Sequence, residues 1–166
     1  MMPILRRPIT PLVLLAFVAT LAFGCGGGSS SDECGPDPSL PVVRLSFEGG
    51  YVDAEVARTA GQRSKGLAGR NCVPDNAGMI LDAGSVYVPT VWMRGMLIPL
   101  DLVWIDEDGR VAAVAAEVQP EPGVADAGLR RYSPPRPVRY TLELNAGAAG
   151  RLGLSPGVEV MFDPEG

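Results

Sequence analysis

P-T-V-W-M-R-G-M-L-I-P-L-D-L-V-W-I-D-E-D-G-R-V, residues Pro89 to Val111, decides how the rest of the chain is read. Apolar residues dominate from Met96 to Ile105, but Pro99 and Asp101 break the run, and a fold keeps an acid out of its core unless the charge is paired. Asp101, between Leu100 and Leu102, therefore calls for a partner. Arg70 or Arg94 is expected to supply it, with Glu143 on the same side. Asp106-Glu107-Asp108-Gly109 then carries turn chemistry ahead of a second apolar strand, so the segment reads as a hairpin at the centre of the domain. A calcium loop does not fit, because Gly109 at the sixth position would put Trp104 and Ala115 where the first and twelfth ligands must be acids.

Working outward, Val43, Leu45 and Phe47 alternate with Arg44, Ser46 and Glu48, and after Gly49-Gly50 the alternation resumes in Val52, Ala54 and Val56. That pattern predicts a β-hairpin. Thr59 with Gln62 three residues on is a capping box for a short helix running to about Leu67, stopped by Gly66 and Gly69. Arg63, Lys65 and Arg70 cluster at its end. Strands are expected over Met79–Leu81 and Val86–Met93. Downstream of the hairpin, five prolines between residues 119 and 137 mark a long irregular loop of the kind used for lids and binding segments. Tyr140, Leu142 and Leu144 alternate in one more strand, Asn145 is expected to cap a short helix ending near Gly153, and Val158–Phe162 reads as a last strand.

The amino terminus is an address. Arg6 and Arg7 precede an apolar run from Leu12 to Phe23, too short to cross a bilayer and suited to a signal peptide over residues 1–24. Ala22-Phe23-Gly24-Cys25 resembles the lipobox of bacterial lipoproteins, with Cys25 as the lipid acceptor. Residues 25–41, rich in Gly, Ser and then Pro, read as lipid anchor and tether, and residues 42–164 as one β-rich domain. The expected location is the cell envelope, facing the periplasm, and by resemblance to proteobacterial sorting rules Gly26 after the cysteine favours the outer over the inner membrane. In an oxidising compartment Cys34 and Cys72 are expected to form a disulfide.

Composition narrows the chemistry further. The chain contains no histidine, which removes the usual general base and the commonest transition-metal ligand. Two thiolates alone fall short of a zinc site, so neither metal nor cofactor is expected. With 14 basic and 19 acidic side chains the net charge is −5, and a surface that acidic argues against nucleic-acid binding.

Seven short motifs now stand in order: E-V-A-x-T at 55–59, G-L-A-G-R at 66–70, G-M-I at 78–80, W-M-R at 92–94, I-P-L-D at 98–101, I-D-x-D-G at 105–109 and L-E-L-N-A-G at 142–147. Together they resemble the bacterial and archaeal family known as domain of unknown function 192, over residues 43–162. The resemblance implies a small all-β barrel or sandwich-like domain with one or two short helices, and it implies no established activity. This chain departs from the family in having Ala68 where a methionine is usual, and Gly95-Met96 where an Asn-Thr pair is usual. Any binding that such a pair performs is absent here.

The candidates are then Arg70, Trp92, Arg94, Asp101 and Glu143. Arg70, Arg94 and Trp92 would suit a small anionic or sugar-like ligand. Asp101 and Glu143 would suit glycan hydrolysis by paired carboxylates, or, as the other reading, structural pairs with arginines. Trp92, Met93, Met96 and Trp104 read as core. A small binding or accessory module is the expectation, with an envelope enzyme as its alternative.

Overall fold

The structure is a computed structural model, described here for residues 34–163. The expected signal peptide and the expected lipid acceptor Cys25 lie outside the described residues. Six strands form one sheet: β1 (Val42–Phe47), β2 (Gly50–Ala57), β3 (Ala77–Tyr87), β4 (Leu100–Ile105), β5 (Val111–Val118) and β6 (Val138–Asn145). Two short helices, α1 (Ala60–Lys65) and α2 (Ala148–Arg151), complete it. The strand order is β1-β2-β3-β6-β4-β5, and the sheet is not closed into a barrel.

The alternation in the first two strands does what its period requires. Val43, Leu45, Phe47, Val52, Ala54 and Val56 share one face and enter the inner core with Ile80, Val103, Leu142 and Leu144. Across the hairpin Arg44 stands opposite Asp53 and bonds it at 2.7 Å, and its guanidinium lies 4.1 Å over the Tyr51 ring.

β2 and β3 pair in parallel, which a tight turn cannot achieve and a crossover can. α1 and residues 66–76 are that crossover. The capping box forms as read, with Thr59 accepting from the Gln62 N–H and the Gln62 side chain accepting from the Thr59 N–H. The crossover covers the outer face, where Ala57, Leu67, Met79, Met93, Met96, Leu102 and Trp104 make a second core. β4 runs between the two cores with all six residues buried, which accounts for its nearly continuous apolar sequence.

Cys34 and Cys72 are joined, with Cα atoms 5.1 Å apart. Residues 34–41, read from sequence as the end of the tether, lie against the domain. The Asp37 N–H donates to Glu55 Oε2 and the Val56 N–H donates to the Pro41 carbonyl.

Three expectations need correction. Val86–Met93 is not a strand: β3 absorbs Val86 and Tyr87, and beyond Pro89 only Val91 pairs, in an isolated bridge to Tyr132. Val158–Phe162 makes two isolated bridges, Glu159 to Arg110 and Met161 to Ser46, instead of a ladder. Asn145 does not cap α2. Its amide donates to the Val73 carbonyl, while the N-cap position is Gly147, which has no side chain to offer.

Candidate functional site

Asp101 explains the missing cap. Between Leu100 and Leu102 the β4–β5 register slips, leaving an extra residue on β5. Glu117, in that bulge, is the single non-glycine residue with positive φ (53°) among the described residues. A bulge leaves an N–H without a ladder partner. Asp101 Oδ1 accepts the Glu117 N–H at 2.7 Å, and Oδ2 accepts the Ala149 N–H of α2 at 2.8 Å. The acid is fully buried, and both of these donors are backbone amides. The expected pairing with Arg70 or Arg94 is therefore corrected. Arg70 forks onto Glu55 (2.7 Å for Nη2 to Oε2), and Arg94 meets Asp126 at 3.2 Å on the surface.

Glu143 lies on the other side of the sheet. Asp101 stands opposite Leu144, and Leu102 opposite Glu143, so Asp101 shares a face with the inner core while Glu143 joins the outer one. The two acids cannot flank one substrate bond, and the paired-carboxylate reading fails on that geometry.

On the outer face Glu55, Met79 and Glu143 occupy adjacent positions across β2, β3 and β6. The crossover closes over them. Gly66 sits directly on the Glu143 carboxylate, where a Cβ would approach Oε2 to 2.7 Å, and the Leu67 N–H donates to Oε2 at 3.1 Å. Gly66 also holds φ 49°, ψ −137°, which residues with a side chain rarely adopt. Replacing it with alanine is expected to cost about 2 kcal/mol in strain alone. A denaturant melt of Gly66→Ala measures this, and a midpoint equal to wild type would contradict it.

Glu143 is 5% exposed, and burial pushes its pKa from the usual 4.5 up to about 7, against the opposing pull of the Leu67 N–H and the Arg70 charge. It forms part of the floor of a cleft of about 240 Å³. Thr141 and Arg139 extend that floor along β6, Arg63 and Lys65 line it from α1, and Trp92 and Arg94 from the segment after β3.

The 119–137 loop is clamped to that last segment. Val91 and Tyr132 exchange two backbone hydrogen bonds of 2.9 Å, and the Arg131 guanidinium stacks 4.0 Å over Trp92. Met93, Met96 and Trp104 are core as expected, while Trp92 is half-buried in the cleft wall.

Of the candidates, Trp92, Arg94 and Glu143 are brought together, Arg70 lies beside Glu143 outside the cleft, and Asp101 is remote. Sequence reasoning missed Arg139 and Thr141, although the period of two from Glu143 places both on its face. The two family departures also meet here. Gly95 has φ 68°, and a Cβ on it would lie 3.6 Å from Ala68 Cβ. Asparagine tolerates that conformation next best after glycine. Met96 lines the cleft where a threonine is usual.

Two crystal structures resemble this fold. One, from Sinorhizobium meliloti 1021 and described as a candidate transcription regulator, is 30% identical over 78% of this chain and 99% of its own, with a TM-score of 0.67. The other, a protein of unknown function from Novosphingobium aromaticivorans DSM 12444, is 31% identical over 76% of this chain and 91% of its own, with a TM-score of 0.65. No curated protein matches. The sequence pattern of domain of unknown function 192, described as "Uncharacterized ACR", matches residues 43–162, the span that carries both cores, the Asp101 lock and the Glu143 cleft. On that match and those two likenesses, the chain belongs to the domain of unknown function 192 family.

Proposed function

We propose that this is a lipid-anchored cell-envelope protein, held at Cys25 and facing the periplasm, whose domain is a small binding or accessory module. The outer membrane is the preferred location. The proposed ligand is small and anionic or sugar-like, and it occupies the cleft over Glu143. One observation carries the reading: four basic side chains, Arg63, Lys65, Arg94 and Arg139, line that cleft in a chain of net charge −5, with Glu143 the sole acid among its lining residues. Positive potential concentrated in a concave site raises the local concentration of anions.

The order Arg6-Arg7, apolar run, Gly24-Cys25 supports the anchor, and a disulfide between Cys34 and Cys72 suits an oxidising compartment. The description of the Sinorhizobium neighbour is not carried over, because an acidic chain with an export signal is poorly suited to duplex DNA.

The test uses protein extracted from membranes in mild detergent. Mass spectrometry should find a lipid on Cys25, and an unmodified Cys25 would sink the anchor. Thermal-shift screening against envelope sugars, sugar acids and phosphorylated metabolites should find a compound that raises the melting temperature of wild type and not of Arg94→Glu. The absence of any such compound would sink the binding reading.

A further inference from the structure

We infer that the cleft selects a small carboxylic acid, of about monosaccharide size, and takes up one proton at Glu143 when it binds. This rests on the binding role proposed for the same cleft. The size follows from the volume, since about 240 Å³ falls below the ~300–1,000 Å³ of sites for drug-sized ligands.

The chemistry follows from what faces Glu143. From α1 and the turn after it come Arg63, Lys65 and Arg70, from β2 Glu55, from its own strand Arg139, and from the segment after β3 Arg94. β3 and β4 present Met79, Leu81, Leu102 and Trp104 on that face, none of which titrates in the working range, and β3 adds the buried Asp82, which pairs with Arg139 at 3.3 Å, as Asp126 pairs with Arg94 at 3.2 Å. Arg70 is committed to Glu55 by two hydrogen bonds, and Lys65 stands 3.9 Å from Asp37. Arg63 donates to the Arg58 and Asp82 carbonyls, so those contacts leave its charge in place.

A ligand carboxylate entering this cleft meets a cationic wall and an acid floor. An ionised Glu143 would repel it, whereas a protonated Glu143 keeps one oxygen on the Leu67 N–H and can donate its O–H to the ligand carboxylate. Two carboxyl groups sharing one proton at close range are a stable arrangement, because both cannot ionise there. The proton comes from solvent, and no covalent bond changes in the ligand. Burial already biases the acid this way, having raised its pKa to about 7. Ligand binding should raise it further, and by reciprocity protonation should tighten binding.

Calorimetric titration of the full protein with galacturonate, galactose and inorganic phosphate, at pH 6 and pH 8.5, tests this. Galacturonate is ionised at both values, so only the protein titrates. The expected result is galacturonate binding that weakens about tenfold per pH unit above the Glu143 pKa, with close to one proton taken up at pH 8.5 and only a small fraction of one at pH 6, read in buffers of different ionisation enthalpy. Glu143→Gln, which imitates the protonated acid, should bind equally at both pH values.

Equal galacturonate affinity at the two pH values, no proton uptake at pH 8.5, or galactose binding as tightly would overturn the inference and leave the binding role standing. Phosphate binding without galacturonate would do the same. No binding by any of the three would overturn both. Proton uptake is read on wild type, so the result does not depend on the variant folding.

Discussion

Asp101→Ala is expected to lower the unfolding free energy by about 4 kcal/mol, because two backbone donors lose their acceptor and the buried Ala149 N–H has no water to turn to. The Glu117 N–H sits in a bulge and the Ala149 N–H in the first turn of α2, both bonded to an acid with no exposed surface. For a domain of this size the melting temperature should fall by about 10 °C or more. Asp101→Asn keeps one acceptor oxygen but must aim its amide N–H₂ at the other N–H, so it should lose at least half as much.

The ion-pair alternative makes a different forecast. Asp101 and Arg70 lie on opposite faces and share no partner, so the losses from Asp101→Ala and Arg70→Ala should add to within ~0.5 kcal/mol in a double-mutant cycle. Arg94→Ala, which breaks an exposed pair, should change stability by about 1 kcal/mol or less. An Asp101→Asn melt that overlays wild type would refute the lock, and a large coupling to Arg70 would restore the ion pair.

Glu143→Gln is expected to do the opposite above neutrality, raising stability by about 3 kcal/mol at pH 8. The folded chain protonates Glu143 at about 7, whereas the unfolded chain does so near 4.5. Between those values the folded state holds a proton that the unfolded state has released. Stability therefore falls as pH rises through that window, and the loss is complete above it. Each pH unit of separation carries ~1.4 kcal/mol, which gives the magnitude. Glutamine retains an acceptor for the Leu67 N–H and never ionises, so its melting curve should lose this slope. Melts from pH 4.5 to 8.5 measure both effects. A wild-type curve flat across that range, or a Gln variant less stable at pH 8, would show that Glu143 is ionised and paired in the fold.

A residue that destabilises its own fold at neutral pH is more readily explained by ligand binding than by packing. That contrast separates the two acids that the sequence offered as a pair.

Local chemistry was legible where it needed no distant partner. The first hairpin, the Thr59–Gln62 box and the turn at Asp106–Gly109 each rest on residues within a few positions of one another. Partners far apart in the chain were not legible. Asp101 was correctly marked as an acid in need of something, but what satisfies it is backbone N–H, which every residue except proline carries. Only the slip between β4 and β5 singles out the Glu117 donor. Glu55 and Arg70 were both in quoted motifs, yet nothing in their spacing shows that a parallel crossover folds one onto the other. Val86–Met93 and Val158–Phe162 have the composition of strands, but beyond Tyr87 the first makes only one bridge, at Val91, and the second divides its bonds between the ends of two strands, and composition does not report neighbours.

The tail residues 157–161 have a consequence for how copies of this protein meet. They bond to Gly109 and Val111 at the start of β5 and to Ser46 near the end of β1, the two outermost strands. An open sheet normally presents two rows of unspent donors and acceptors on which another chain can template itself. Here one short segment occupies part of both rows at once, so resistance to strand-by-strand self-association is concentrated in five residues. Fraying of that segment would expose both edges together, and a population of such frayed molecules would be the species most prone to aggregate.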